Sequence, residues 1–304
     1  MNWRRVTDFI KHRDWPLHLA DRLGRGRGRL RIDDWYTYVR PAPVCPDLSR
    51  WNQYRLAVLW IGHATVLIRI GGMTILTDPV FSTRIGLGLG LFTAGPQRLY
   101  RPAIAWTQLP PLDAVLISHA HFDHLDRPSL ARLSKRVPVI AAAGLRDLIQ
   151  DMGFQTIVEL DWGASWNLGN VDLTSIPVQH WGARTFLDRH RGFCGFLIES
   201  SQDRLVFGAD SAYQTYWESL APVELAIVGI GAYDPYVAAH ATPEQAWQMA
   251  RHHLQARYIV PIHHSTFRLS HEPVDEPIRR FLQAAGEESS WVVIRRIGEM
   301  FVIG

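Results

Sequence analysis

An α/β fold is the prediction, and three features of the chain carry it. From Leu56 onward, short apolar, β-rich runs alternate with helical stretches, the pattern of sheet covered by helices. The run Ala114-Val115-Leu116-Ile117 passes directly into Ser118–Asp126, which packs three histidines and a carboxylate between His119 and His124. Single polar residues with metal-binding chemistry also end several other apolar runs, and the ends of sheet strands are where open α/β folds place their sites.

The composition allows this and excludes other classes. A chain of 304 residues can bury a sizeable core, and 47% hydrophobic with 20% charged residues is an ordinary globular balance. No apolar run approaches the roughly 20 residues that span a bilayer. The start, Met1 to Ala20, is broken by Arg4, Arg5, Asp8, Lys11, Arg13 and Asp14, so it lacks the apolar core of a signal peptide. A cytoplasmic protein is expected, with peripheral membrane contact left open. Cys45 and Cys194 are too few for a disulfide framework and form no metal-type pair.

In chain order, residues 1–55 read as a basic, aromatic extension that packs on or near a main domain spanning 56–304. Residues 1–60 carry twelve Lys and Arg against six Asp, while the whole chain is only +3. Arg25, Arg27, Arg29 and Arg31 alternate with glycines, a stretch that can meet phosphates or stay a solvated arm. Strands are expected at Leu56–Ile61, Val66–Ile70 and Met73–Thr77, with Gly71-Gly72 as the hairpin turn. The Gly- and Leu-rich loop 85–92 is either an apolar flap or a loop packed on the domain edge. After the ligand loop come helix Arg127–Lys135, strand Val137–Ala141, helix Leu145–Met152 and strand Thr156–Leu160. Val171–Pro177, Phe193–Glu199 and Arg204–Phe207 make a mostly β second half. Ala221–Ile230, helix Pro243–Leu254, strand Arg257–Pro261, helix Val274–Ala285 and strand Trp291–Ile294 complete it.

His119 and His121 alternate, so an extended exit from the strand aims both rings to one side. Asp123 and His124 follow on the turn, and Asp126 suits a helix N-cap with Pro128 in the first turn. Imidazole nitrogens and carboxylate oxygens suit zinc and similar divalent ions. One zinc takes about three protein ligands and an open position, so this loop offers more than one ion can close on. His180 after Ile176–Gln179, Asp210 after Val206–Ala209 and His263 after Ile259–Ile262 extend the set.

This set resembles the metallo-β-lactamase superfamily, whose His-x-His-x-Asp-His loop matches His119, His121, Asp123 and His124. Within it the sequence is similar to the branch of N-acylphosphatidylethanolamine-hydrolysing phospholipase D and its bacterial relatives. The matching stretches include Trp60–Thr65, Leu76–Pro79, Gly95–Arg98, Leu109–His119, Val158–Trp162, Gln179–Trp181, Ile230–Pro235 and His240–Glu244. They cover about residue 56 to the C-terminus. The resemblance implies a four-layer αββα sandwich with two Zn2+ ions, other divalent metals being admissible. It assigns His119, His121 and His180 to one metal, Asp123, His124 and His263 to the other, and Asp210 to a bridge.

The activity it implies is a zinc-dependent hydrolase, a phospholipase D-type phosphodiesterase acting on N-acylphosphatidylethanolamine-like lipids through a metal-bridging hydroxide. A lactonase or related ester hydrolase is the alternative. Asp123 would also orient the attacking oxygen, and His240 would contact phosphate or protonate the leaving group. Asp78 either fixes a ligand imidazole or simply forms the turn before Pro79; His63 is either a similar support or core. The expected partner is a lipid or small-molecule phosphodiester. Nucleic acid is not expected, because no aromatic and basic stacking platform accompanies the Gly-Arg stretch. The family tends to have Trp-Gly after the histidine at 263, whereas His264-Ser265 stand here, which reshapes the expected pocket wall.

Overall fold

The computed structural model describes residues 38–89, 92–185 and 188–304. The Gly-Arg stretch 24–31, the expected packing of residues 1–37, and the tip of the Gly/Leu loop at Gly90 and Leu91 lie outside them. Fifteen strands are described: β1 (Leu56–Gly62), β2 (Thr65–Ile70), β3 (Met73–Thr77), β4 (Leu87–Leu89), β5 (Phe92–Ala94), β6 (Ala114–Ile117), β7 (Val139–Ala142), β8 (Ile157–Leu160), β9 (Ser165–Leu168), β10 (Val171–Ile176), β11 (Gly195–Glu199), β12 (Arg204–Phe207), β13 (Leu225–Gly229), β14 (Tyr258–Ile262) and β15 (Met300–Ile303). The α-helices are α1 (Arg127–Ala131), α2 (Pro243–Gln248) and α3 (Glu276–Ala285).

One sheet has the order β15-β1-β2-β3-β6-β7-β8 and the other β14-β13-β12-β11-β10-β9. Strand periodicity sorts the second sheet's side chains onto two faces. Leu205, Phe207, Leu225, Ile227, Val260 and Ile262 join Leu59, Leu67, Leu116 and Ile140 of the first sheet in one shared core. The alternate residues Val206, Ala226, Val228 and Ile259 pack on Trp247 of α2 and Phe281 of α3. Leu130 of α1, with Leu145 and Ile149, covers the first sheet. The result is the four-layer sandwich.

Thr242 starts α2 with a capping box: its hydroxyl accepts from the Gln245 amide, and Gln245 Oε1 accepts from the Thr242 amide at 3.0 Å. Beyond Gln248 the helix continues as one π turn, Met249–His253. Residues just before β1 are part of the packing as well. Trp51 is buried and its indole donates to Thr74 Oγ1 at 3.1 Å.

Three expectations need correction. Residues 145–152 form two 3-10 turns, Arg146–Leu148 and Gln150–Met152. Gly144 and Gly153, both at positive φ, bracket a segment too short for more. Trp291–Ile294 is not a strand: Val292 makes one isolated bridge to Ile259. The Glu299 carboxylate accepts from the amides of Arg295 and Arg296, turning the chain into β15, which pairs with β1. Asp126 stands at the N-cap of α1, but its carboxylate takes the hydroxyls of Ser82 and Ser129 instead of a backbone amide.

The Gly/Leu loop is a two-stranded ribbon, β4 with β5. Gly86 and Gly95 close its base, where a Cβ on either would lie 2.1 Å or 1.9 Å from the opposite carbonyl oxygen. Ile85 is buried with Val80 and Phe267 against Phe122 of the ligand loop, whereas Leu87 is 56% exposed. The base of the loop is packed and its side toward the tip is open.

Candidate metal centre

Within each sheet, the strands whose ends carry the candidate ligands run in one sense. β3, β6 and β7 are parallel, as are β12, β13 and β14. Two antiparallel steps bring β1 and β10 into the same sense. The segments leaving the carboxyl ends of β1, β3, β6, β10, β12, β13 and β14 carry His63, Asp78, the loop from His119, His180, Asp210, His240 and His263 in turn. His63, Asp78, Ala209 and His263 are non-glycine residues at positive φ, the strained backbone that persists where packing over-determines it.

The structure brings all the predicted residues together, in two groups that meet at Asp210. In the first, His119 Nε2 lies 2.9 Å and His180 Nε2 3.3 Å from His121 Nδ1. Asp210 Oδ2 is 3.8 Å from both His119 Nε2 and His180 Nε2. In the second, Asp210 Oδ2 is 3.1 Å from His124 Nε2 and 3.2 Å from His263 Nε2. Asp123 Oδ2 is 3.4 Å from His263 Nε2 and 3.7 Å from His124 Nε2. His63 Nε2 joins this group, 2.9 Å from Asp123 Oδ2. The His240 ring stands beside both groups, 5.0 Å from the His180 ring and 5.3 Å from that of His263.

Hydrogen bonds behind the rings set which nitrogen faces inward. Thr77 of β3 lies near Leu116 of β6 in register, which sets Asp78 beside Ser118. Asp78 Oδ1 accepts the Ser118 amide, and Oδ2 accepts both Ser118 Oγ at 2.6 Å and His124 Nδ1 at 2.7 Å. Ser118 Oγ, its proton committed to Asp78, accepts from His119 Nδ1 at 2.9 Å. His180 Nδ1 donates to the Ala239 carbonyl at 2.9 Å. His119 and His180 therefore each present an Nε2 lone pair to the centre, and His124, anchored at Nδ1, would offer Nε2 to a metal once that nitrogen's proton leaves. Ser118 and Ala239 were not singled out in the sequence; a hydroxyl preceding the first ligand at a strand end was the only available signal.

Burial decides the charges. It pushes His121 down to about 3 and His180 to about 4, and holds His119 well below the usual imidazole range, each with neighbouring histidines adding to the effect in His119 and His121. Burial acts the same way on His124 and His263. There, however, the carboxylates win: Asp210 and Asp123 raise His124, and His263 reaches about 9. Burial alone would raise Asp123 and Asp210, yet His124 and the other facing histidines hold both well below the usual carboxylate range. The centre thus contains two ionised carboxylates and a ring of imidazoles.

This donor set fits divalent metal ions. Asp210 Oδ1 is buried without a hydrogen-bond partner, an arrangement costly without a cation. Tetrahedral ligands about 2.0–2.1 Å from a zinc ion lie about 3.3–3.4 Å apart, and the separations above bracket that value. His119, His121, His180 and Asp210 form one cluster that could hold an ion; Asp123, His124, His263 and His63 form another.

The rim combines support and access. Arg184 donates to the carbonyls of Ala120 and Leu125 at 2.8 Å, tying down the ligand loop, and stacks on Phe122. Trp181 is 36% exposed with its ring 4.6 Å from that of His121. His264, beside the candidate ligand His263, is turned away from solvent. It is buried, packed on Trp60 at 4.6 Å between ring centres and bonded to Ser265 Oγ at 2.8 Å.

Residues 73–264 match the beta-lactamase superfamily domain. A protein of Mycobacterium tuberculosis is 33% identical over 297 residues, spanning 90% of this chain and 78% of that protein. N-acyl-phosphatidylethanolamine-hydrolyzing phospholipase D 1 of Caenorhabditis elegans is 32% identical over 228 residues, 68% of this chain and 60% of the nematode protein. The crystal structure of a possible metal-dependent hydrolase from Veillonella parvula superposes with a TM-score of 0.67 at 17% identity, covering 82% of this chain and all of that one. The chain belongs to the metallo-β-lactamase superfamily, on the branch similar to this phospholipase D, and is a metal-dependent hydrolase.

Proposed function

We propose that this member of the superfamily is a two-zinc phosphodiesterase of phospholipase D type, cleaving N-acylphosphatidylethanolamine-like lipids. The observation that carries the two-metal part is Asp210: one buried carboxylate oxygen faces histidines of both groups. The likeness to the nematode phospholipase supports the substrate class.

His119, His121 and His180 would hold one ion, Asp123, His124 and His263 the second, with Asp210 shared. Bound there, divalent ions supply Lewis acidity toward phosphoryl oxygens and acidify water at neutral pH. The protein's own groups have separate tasks. Asp78, Ser118 and the Ala239 carbonyl hold the imidazole tautomers. Asp123, ionised and 13% exposed at its side chain, accepts a hydrogen bond from the attacking water and orients it toward phosphorus.

In the hydrolysis the water oxygen forms a new bond to phosphorus, and the bond from phosphorus to the ethanolamine oxygen breaks. That oxygen leaves as N-acylethanolamine after taking a proton, and phosphatidic acid remains. His240 is placed for this end of the reaction. Burial holds its imidazole neutral, so its N–H can donate to a phosphoryl oxygen or to the leaving oxygen. The loop that carries His240 is pinned at its start by Glu272, which accepts from the amides of Ala232 and Asp234.

Vesicles containing N-acylphosphatidylethanolamine, incubated with zinc-loaded protein, should release phosphatidic acid and N-acylethanolamine, identified by mass spectrometry. His240→Ala should lower kcat with metal content unchanged. No phosphatidic acid from fully loaded protein would reject the phospholipase reading. Turnover of lactones or simple esters by the same sample would then move the assignment to an ester hydrolase.

A further inference from the structure

We infer that His63 is a positioning residue: it donates a hydrogen bond from Nε2 to Asp123 and holds that carboxylate against the second group, without itself binding metal. This rests on the reading of Asp123 as a ligand. His63 is buried at the end of β1 in the left-handed conformation, φ 56. Three hydrogen bonds keep it there: Trp60 Nε1 to the His63 carbonyl at 2.8 Å, the His63 amide to Thr266 Oγ1 at 2.8 Å, and the His263 amide to the His63 carbonyl at 3.2 Å. Its ring is wedged against His263 at 4.1 Å and Phe267 at 5.2 Å between centres. A side chain locked this firmly can fix what it touches.

What it touches is Asp123 Oδ2, at 2.9 Å. Proximity alone also permits a different role, since His63 falls within the second cluster of potential ligands. The protonation chemistry separates the two. An ionised carboxylate only accepts, so the nitrogen at 2.9 Å must carry the hydrogen. A neutral imidazole then has its lone pair on Nδ1, and Nδ1 is buried without a partner. The lone pair is thus on the nitrogen away from Asp123, so Nε2 has none to give a metal. The same bond restricts rotation of Asp123, whose side chain is otherwise the partly open member of the group.

The direct test is nitrogen NMR of full-length wild-type protein carrying 15N-histidine, before and after zinc loading. The expected result is a His63 ring protonated on Nε2 and bare on Nδ1 in both states. A proton on Nδ1 in the zinc-loaded protein would make Nε2 a ligand and overturn the inference; so would protons on both nitrogens. Zinc affinities give a second readout. His63→Phe should weaken one of two bound ions by about 10- to 100-fold and leave the other unchanged. His63→Gln, whose amide nitrogen reaches the same point, should recover most of that loss. Equal weakening of both ions, or no recovery in a His63→Gln protein that melts like wild type, would contradict the inference. If wild type binds fewer than two zinc ions, the ligand reading fails first, and the tautomer in the zinc-free protein still decides the hydrogen bond.

Discussion

The two groups that meet at Asp210 solve different electrostatic problems. His119, His121 and His180 are neutral imidazoles drawn from both sheets, and two of them are backed by uncharged partners, Ser118 Oγ and the Ala239 carbonyl. The other group gathers Asp123, His124 and His263, with a further carboxylate, Asp78, behind His124. The first is a site defined by geometry, in which lone pairs face one another. The second is defined by charge, because buried carboxylates need cations beside them. Metal binding at the first requires no proton to leave; at the second it must displace protons from His124 and His263.

The largest break in this comparison should come from Asp210→Asn, which removes the shared anion. Both groups should lose metal, and hydrolysis should fall by more than the roughly 100-fold typical of losing an outer partner. Metal analysis and initial rates on the same sample check it. Asp123→Asn should separate the groups: one ion lost and one retained, with the retained ion showing nitrogen-rich coordination by X-ray absorption. Loss of both ions would mean the groups are not independent.

The pH dependence sharpens the contrast. His263 is raised to about 9 by burial-opposed attraction to Asp210 and Asp123, so below pH 9 an incoming ion must expel its proton. Affinity at the second group should therefore climb as pH rises toward 9, about tenfold per unit for each proton displaced. His121 and His180, at about 3 and 4, are already deprotonated, so affinity at the first group should be flat from pH 6 to 9. Competition titrations with a chromogenic chelator would show two slopes; one common slope would contradict the difference. The smallest effect should follow Ser118→Ala, which frees His119 Nδ1. It should weaken the first group by about 10- to 100-fold with the fold intact by circular dichroism.

The same contrast explains what was legible in the sequence. His119, His121, Asp123 and His124 are contiguous, so one loop announces the centre. His180, Asp210 and His263 are lone residues at the ends of apolar runs, readable as a set and through family resemblance. Asp78 and His63 were readable as candidate supports with the alternative left open, because what they touch depends on strand neighbours. Asp78 reaches Ser118 and His124 only because β3 lies beside β6; His63 reaches Asp123 only because the end of β1 is held by Thr266 and His263. His264 illustrates the converse. It stands next to a candidate ligand, and with His263 and Ser265 in the left-handed conformation its ring packs on Trp60. Alternation of apolar runs pointed only to sheet covered by helices, and the four-layer sandwich came from the family resemblance; β9 and β15, partly exposed edge strands, carry too weak an apolar signal to be read.

X-ray absorption on the fully zinc-loaded wild-type protein tests the central claim most directly. Two ions sharing Asp210 should give two zinc per chain and a zinc–zinc scattering path at about 3.5–4 Å. A single zinc per chain with no metal–metal path would contradict it.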